Sequence, residues 1–364
     1  MVGGLTGSVC LMMCSTVQTN IELAVFLFSS GLGFAMTVLP SQVSVISAFK
    51  GNYTLPFCVS AMGGGVGMMV LPLCTQKLLE IYDWRGAMLL LGGLNLHTVV
   101  SGAFLQGKVM QRVSPRDIST TSDTSTSSVS EDAALAALPL RCWRNVRALI
   151  LIAYRKSGVS VLGKYPRLTY MIIVSYLHGI TYAGWTIFVI SNAEVKGLQE
   201  ETAVFLSVVG GIGNTIGRLL PGALNFLNKD LFPSRVSFLA LGVIGSVPLC
   251  LNSIATNFPT LCVFASLNGL ALGTKAITKS AASVDVVPES FSSTALAFAL
   301  VCSGMGELTG GWATGKIWDV TGSMDTAFLF LGCVDIVGVV ILLLGMIHEK
   351  IIQLKNKTNG ASGN

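Results

Sequence analysis

The sequence predicts an all-α polytopic membrane protein of about ten transmembrane helices, a count set by the roughly 20 apolar residues that one crossing needs. Three observations carry that expectation. Of 364 residues, 52% are hydrophobic and only 11% are charged. A soluble domain carries about 25% charged residues, so charges this sparse cannot cover a water-facing exterior, and much of the surface must face lipid. The charges are also separated by helix-length gaps: residues 1–21, 23–49, 51–76, 86–107 and 168–193 hold no Asp, Glu, Lys or Arg. Finally, the 40 glycines fall within apolar runs such as Gly63-Gly64-Gly65-Val66-Gly67. In water a helical Gly costs about 1 kcal/mol relative to Ala. In lipid, small residues let helix backbones approach closely.

Read in order, the first four spans lie near 2–19, 22–48, 55–80 and 86–106. Six more lie near 168–192, 201–226, 234–256, 259–284, 290–317 and 325–347. The uncharged run 236–274 is too long for one helix, and Asn257-Phe258-Pro259 divides it, because Pro disfavours a helical predecessor. The expected organisation is a four-helix bundle over 1–106, a loop over 107–167, a six-helix bundle over 168–348 and a tail over 349–364.

The loop sets the topology. From Lys108 to Arg167 it holds ten Lys or Arg against four Asp or Glu, and short basic loops stay on the cytoplasmic side. Even numbers of spans on either side then place both termini in the cytoplasm, in a multi-pass protein expected at the plasma membrane. Within the loop, Ser114–Ser130 is rich in Ser and Thr and poor in aromatics, a composition that cannot bury a core. Cys142–Tyr154 interleaves Trp143, Val146 and Leu149 with Arg141, Arg144 and Arg147. It fits either a basic amphipathic helix on the inner membrane surface or a solvated linker. The basic excess belongs to topology and anionic lipid rather than to nucleic acid.

Three segments resemble one family. Tyr82-Asp83-Trp84-Arg85-Gly86-Ala87, followed by the Leu-rich stretch Leu89–Leu94, is similar to its turn between the fifth and sixth helices. Arg218-Leu219-Leu220-Pro221-Gly222 is similar to its eighth-helix segment. Asp319-Val320-Thr321-Gly322, preceded by Gly310, Gly311 and Gly315, resembles its pattern around the eleventh helix. The family is that of the monocarboxylate transporters, within the major facilitator superfamily. The resemblance implies two helix bundles around a midplane substrate site. Aligned this way, the chain starts at the family's third helix, so the first two and their signature lysine are expected to be absent. The resemblance also allows for an accessory membrane subunit, which several members require for surface delivery.

Candidate site residues follow from charge inside the bilayer. Such a charge costs about 2.5–3.5 kcal/mol on insertion scales, so it faces a cavity or a partner. Arg218 follows sixteen uncharged residues within a predicted helix, and a guanidinium matches a carboxylate with two parallel hydrogen bonds. The resembled family binds substrate through an arginine here; the plainer alternative is an arginine reaching for the inner interface. Asn214 stands one turn earlier on the same face, where the proton-coupled members carry Asp, and an amide cannot exchange a proton. Lys275 and Lys279, again one turn apart, either line an anion path or sit at the inner end beside Asp285. Glu307 and Asp335 each carry a proton or pair with a lysine such as Lys316.

Other residues are weaker candidates. Tyr182, Trp185 and Phe188 cluster on one helix, as packing or as a cavity wall. Among the histidines only His97 and His178 lie in spans, and a lone ring is more often packed. Asp83 and Arg85 are expected to tie helix ends together. No phosphate loop, nucleophile elbow or metal-ligand spacing occurs, which opposes an enzyme and leaves no cofactor to expect.

The leading expectation is a secondary-active or facilitative carrier of small monocarboxylates or related organic anions, with or without a proton. A second is a proton-independent carrier of aromatic amino acids or similar solutes, favoured by Asn214. A third is an inactive or regulatory truncated membrane protein.

Overall fold

The computed structural model describes residues 1–49, 53–112, 160–227 and 234–361. The two loop stretches singled out above, Ser114–Ser130 and Cys142–Tyr154, lie outside the described residues. The described chain is helical throughout, in the order α1 Val2–Met13, α2 Asn20–Ala48, α3 Thr54–Asn95, α4 His97–Arg112, α5 Ser160–Lys164, α6 Pro166–Val195, α7 Glu200–Leu227, α8 Ser234–Cys250, α9 Phe258–Asp285, α10 Ser292–Thr321 and α11 Met324–Ala361. Seven stretches among the described residues are long and apolar enough to cross a membrane. The chain is a multi-pass membrane protein.

One of those stretches, Thr54–Phe104, is 51 residues long and is not a single crossing. Asp83 breaks it with φ 58° and ψ 172°, in the left-handed region that side chains other than Gly rarely adopt. The two spans expected at 55–80 and 86–106 are therefore the two arms of this turn. Gly86 is needed there: a Cβ would stand 2.6 Å from the Tyr82 Cβ. Arg85 donates to the Val17 carbonyl at 3.0 Å and lies 5.1 Å from the Trp84 ring centre. Arg85 thus ties the turn to the α1–α2 connection, and Asp83 contributes backbone shape.

Elsewhere local chemistry sets the ends. Asn257 caps α9 by accepting from the Thr260 amide at 3.1 Å, where the sequence places a boundary. Gly322 stops α10 with φ 65°, a conformation open to Gly. Helix α1 ends at Met13 rather than near 19, because the Ser15 and Thr16 hydroxyls take the Met12 and Met13 carbonyls at 2.7 and 2.9 Å. Helix α11 runs beyond the expected end at 348. The segment holds neither Pro nor Gly until Gly360, and Arg235 grips Glu349 through both carboxylate oxygens at 2.9 and 2.8 Å.

The spans alternate in direction. At the end where residues 113–159 attach, Arg235 of α8 meets Glu349 of α11, and Tyr53 before α3 donates to Asp285 of α9 at 2.8 Å. At the far end, Lys196 after α6 pairs with Asp325 of α11 at 3.0 Å, and Asn192 and Asn252 exchange amide hydrogen bonds at 3.1 and 2.9 Å. Small residues set the closest crossings. A Cβ on Gly213, Gly217, Gly269 or Gly273 would strike backbone where α7 crosses α9. Gly179, Gly306 and Gly310 do the same where α6 crosses α10. The first arm of α3 lies along α7, whereas α2 touches α10 only slightly.

Candidate functional site

Those contacts leave a cavity of about 1000 Å³ between α2 and α3 on one side and α6, α7, α9 and α10 on the other. Its walls are mostly aliphatic. The polar groups that reach it are Gln42, His178, Tyr182, Arg218, Lys279, Ser280, Ser303 and Glu307. An apolar vault with a few convergent polar groups is the usual form of a small-molecule site.

Arg218 is placed from both sides. On its own helix, Nε donates to Asn214 Oδ1 at 2.7 Å, the one-turn spacing read from the sequence. Across the gap, Nη1 donates to the Ala61 carbonyl of α3 at 3.1 Å. Gly64 makes room for this: a Cβ there would stand 2.9 Å from Nη1. Gly65 lets the Thr215 side chain and backbone press against α3. The glycine run of α3 is thus the platform under the guanidinium. A guanidinium carries several N–H donors; beyond those given to Asn214 and Ala61, it also faces the Tyr182 hydroxyl, itself on the cavity wall. Asn214 is fully buried and its amide nitrogen donates to the Gly269 carbonyl at 3.4 Å.

The opposite wall holds a polar chain. Lys279 Nζ donates to Ser303 Oγ at 2.5 Å, and Ser303 Oγ donates to Glu307 Oε1 at 3.3 Å. Ser303 and Glu307 stand one turn apart on α10, where Gly179 of α6 lies against the α10 backbone at both residues. Glu307 and Arg218 both act electrostatically on Lys279.

Tyr182 lies between two spaces. It lines the large cavity and also a second one of about 730 Å³ that opens toward the far end, past Gln76, Glu194 and Glu200. Its hydroxyl meets the sulfur of Met68, a wall residue of the second space on α3, at 3.8 Å.

The expected residues do not all gather here. Arg218, Asn214, Tyr182, Lys279 and Glu307 cluster, but Lys275 does not line the cavity. Its side chain is 1% exposed and pairs with Asp335 at 2.6 Å, between α9 and α11. The one-turn spacing is present, but the lysines diverge, because the partner of Lys275 comes from a different helix. Asp335 accordingly pairs with Lys275 rather than Lys316, and Asp285 accepts from Tyr53. Trp185 is buried in the core, and Phe188 packs edge-on against Trp318. Tyr82, Trp84, Asp319 and Gly322 lie at the far-end turns. The sequence sets His178 aside as a packed ring and does not single out Ser303. Each sits one turn before a candidate, Tyr182 and Glu307, and that helical spacing was the available signal.

Comparison with known proteins agrees with this architecture. Residues 1–230 match the family model described as Major Facilitator Superfamily. Monocarboxylate transporter 12 of Homo sapiens is 26% identical over 346 residues, which is 91% of this chain and 64% of that protein. The chain therefore spans just under two thirds of that relative's length. Monocarboxylate transporter 13 of Rattus norvegicus is 25% identical over 351 residues, 94% of this chain and 72% of its own. Among solved structures, a variant of the E. coli fucose:proton symporter FucP superposes with a TM-score of 0.64 at 10% identity, covering 94% of this chain and 81% of that one. The chain belongs to the Major Facilitator Superfamily, and the relatives it resembles along most of its length are monocarboxylate transporters.

Proposed function

We propose that the protein carries a small organic monocarboxylate across a membrane, holding its carboxylate on Arg218 while the helices rearrange around the cavity. The observation that carries this reading is an arginine fixed by Asn214 and Ala61 at the wall of a largely aliphatic cavity. The fork-shaped cation selects a planar anion, and the aliphatic wall accepts a short carbon chain. The names of the relatives support the same substrate class.

The two spaces that meet at Tyr182 and Met68 suit alternating access. In this reading the large cavity is open to substrate from the end bearing the loop, and the Tyr182–Met68 contact closes the way to the other. In the same reading, the basic excess of the loop assigns that end and both termini to the cytoplasmic side.

The test is uptake of labelled lactate and pyruvate in a heterologous cell, with Arg218→Lys as the variant. Lysine keeps the charge and loses the fork, so we expect uptake to fall about tenfold or more, the effect of losing roughly 1.5–3 kcal/mol of hydrogen bonding to a charged group. Equal uptake by the variant contradicts the role of Arg218. Saturable uptake of aromatic amino acids in place of lactate supports the second substrate class.

A further inference from the structure

Asn214 cannot gain or lose a proton, so if a proton accompanies the substrate, another group must take it. We propose that Glu307 is the proton-binding group of this carrier, positioned by Ser303 and Lys279. The proposal rests on reading the cavity as the substrate site.

Glu307 is the only carboxylate lining the large cavity among the described residues. Its Oε1 accepts from Ser303, which accepts in turn from Lys279. Such a chain holds the ionised carboxylate in one orientation. Glu307 is also exposed to the cavity, so a proton can reach it without crossing protein.

The charged and titratable groups around it are few. Helix α6 presents His178 and Tyr182, α7 presents Arg218 and α9 presents Lys279. The α6 residue Tyr176 bonds to Thr309 one half-turn along α10. Helices α2 and α3 present no titratable side chain to the cavity. On α11, Asp335 is engaged by Lys275.

The charge balance then follows. Leaving aside the His178 imidazole, which counts equally in both forms, Arg218 and Lys279 against ionised Glu307 leave the empty cavity with one net positive charge. A bound monocarboxylate cancels it, and a proton taken from cavity water onto Glu307 restores it. The loaded and empty sites thus carry the same charge, so neither form meets an added electrostatic cost on rearranging inside lipid. No covalent bond changes: one proton leaves water for a carboxylate oxygen and leaves again on the opposite side.

The test uses the full chain in two ways. In proteoliposomes, lactate uptake by the unaltered protein should rise as the outside is made more acidic than the inside. Glu307→Gln should lose that dependence, and Glu307→Asp should keep it. Ser303→Ala should shift the midpoint of the pH profile without removing it, which a merely structural role would not do. Separately, acidifying the detergent-solubilised chain should bring up the infrared carbonyl band of a protonated carboxylic acid, and Glu307→Gln should diminish it. PH-independent uptake by the unaltered protein, or an unchanged profile or band in Glu307→Gln, overturns the proposal. Absence of any monocarboxylate uptake overturns the carrier reading, and the infrared band still decides whether Glu307 takes a proton.

Discussion

At the scale of single residues, position is decided by what each charged group can reach. Arg218 and Lys275 both lie in apolar helices, yet they do different work. Arg218 keeps donors facing a cavity because its tethers are an amide and a carbonyl. Lys275 has met a carboxylate and is sealed by it, at 1% and 5% exposure for the two side chains. Removing one partner of such a pair leaves an uncompensated buried charge, at a cost of about 3–5 kcal/mol. Lys275→Met should therefore lower the unfolding temperature of the detergent-solubilised protein sharply. The double variant Lys275→Met with Asp335→Leu should recover much of the loss. A double variant no more stable than the single one contradicts this account. The sequence makes Arg218 and Asn214 legible, because one-turn spacing suffices to bring them together. It leaves Lys275 ambiguous, because its partner is 60 residues away, and it hides His178 and Ser303, whose residue types are also common as packing.

At the scale of helices, the glycine run of α3 does the most specific work. Gly64 and Gly65 admit the Arg218 guanidinium and Thr215, so the site depends on a contact surface that carries no chemistry of its own. Gly65→Val should force α3 away from α7. Overpacking of this kind costs about 1–3 kcal/mol, and it should weaken substrate binding as well as stability. Gly63→Ala, where a Cβ would meet nothing within 4 Å, should leave both unchanged. Thermal unfolding and uptake measured on the two variants check the pair of expectations. The spans between 20 and 104 were readable from charge-free runs. The early stop of α1 and the long continuation of α11 were not, since they depend on hydroxyls folding back and on Arg235 reaching Glu349 from another helix.

At the scale of the whole molecule, two spaces share Tyr182, whose hydroxyl meets Met68. In the proposed transport cycle both must never be open at once, which makes Tyr182 the expected barrier. Tyr182→Ala should join the spaces and add a non-saturable component to uptake, seen as a linear rise with substrate concentration above the saturating curve. Uptake that stays purely saturable opposes a barrier at this place. Membrane character was legible from composition alone. The alternation of helix direction is visible only through pairs such as Lys196 with Asp325 and Arg235 with Glu349, whose partners lie on separate helices.

In the proposed mechanism Arg218 holds the substrate carboxylate in the large cavity, and direct binding tests this without requiring a complete transport cycle. Labelled lactate should bind the purified full chain, and Arg218→Ala should weaken that binding about tenfold to a hundredfold, the loss of roughly 1.5–3 kcal/mol in hydrogen bonding to a charged group. Equal affinity for lactate in a well-folded Arg218→Ala protein would contradict it.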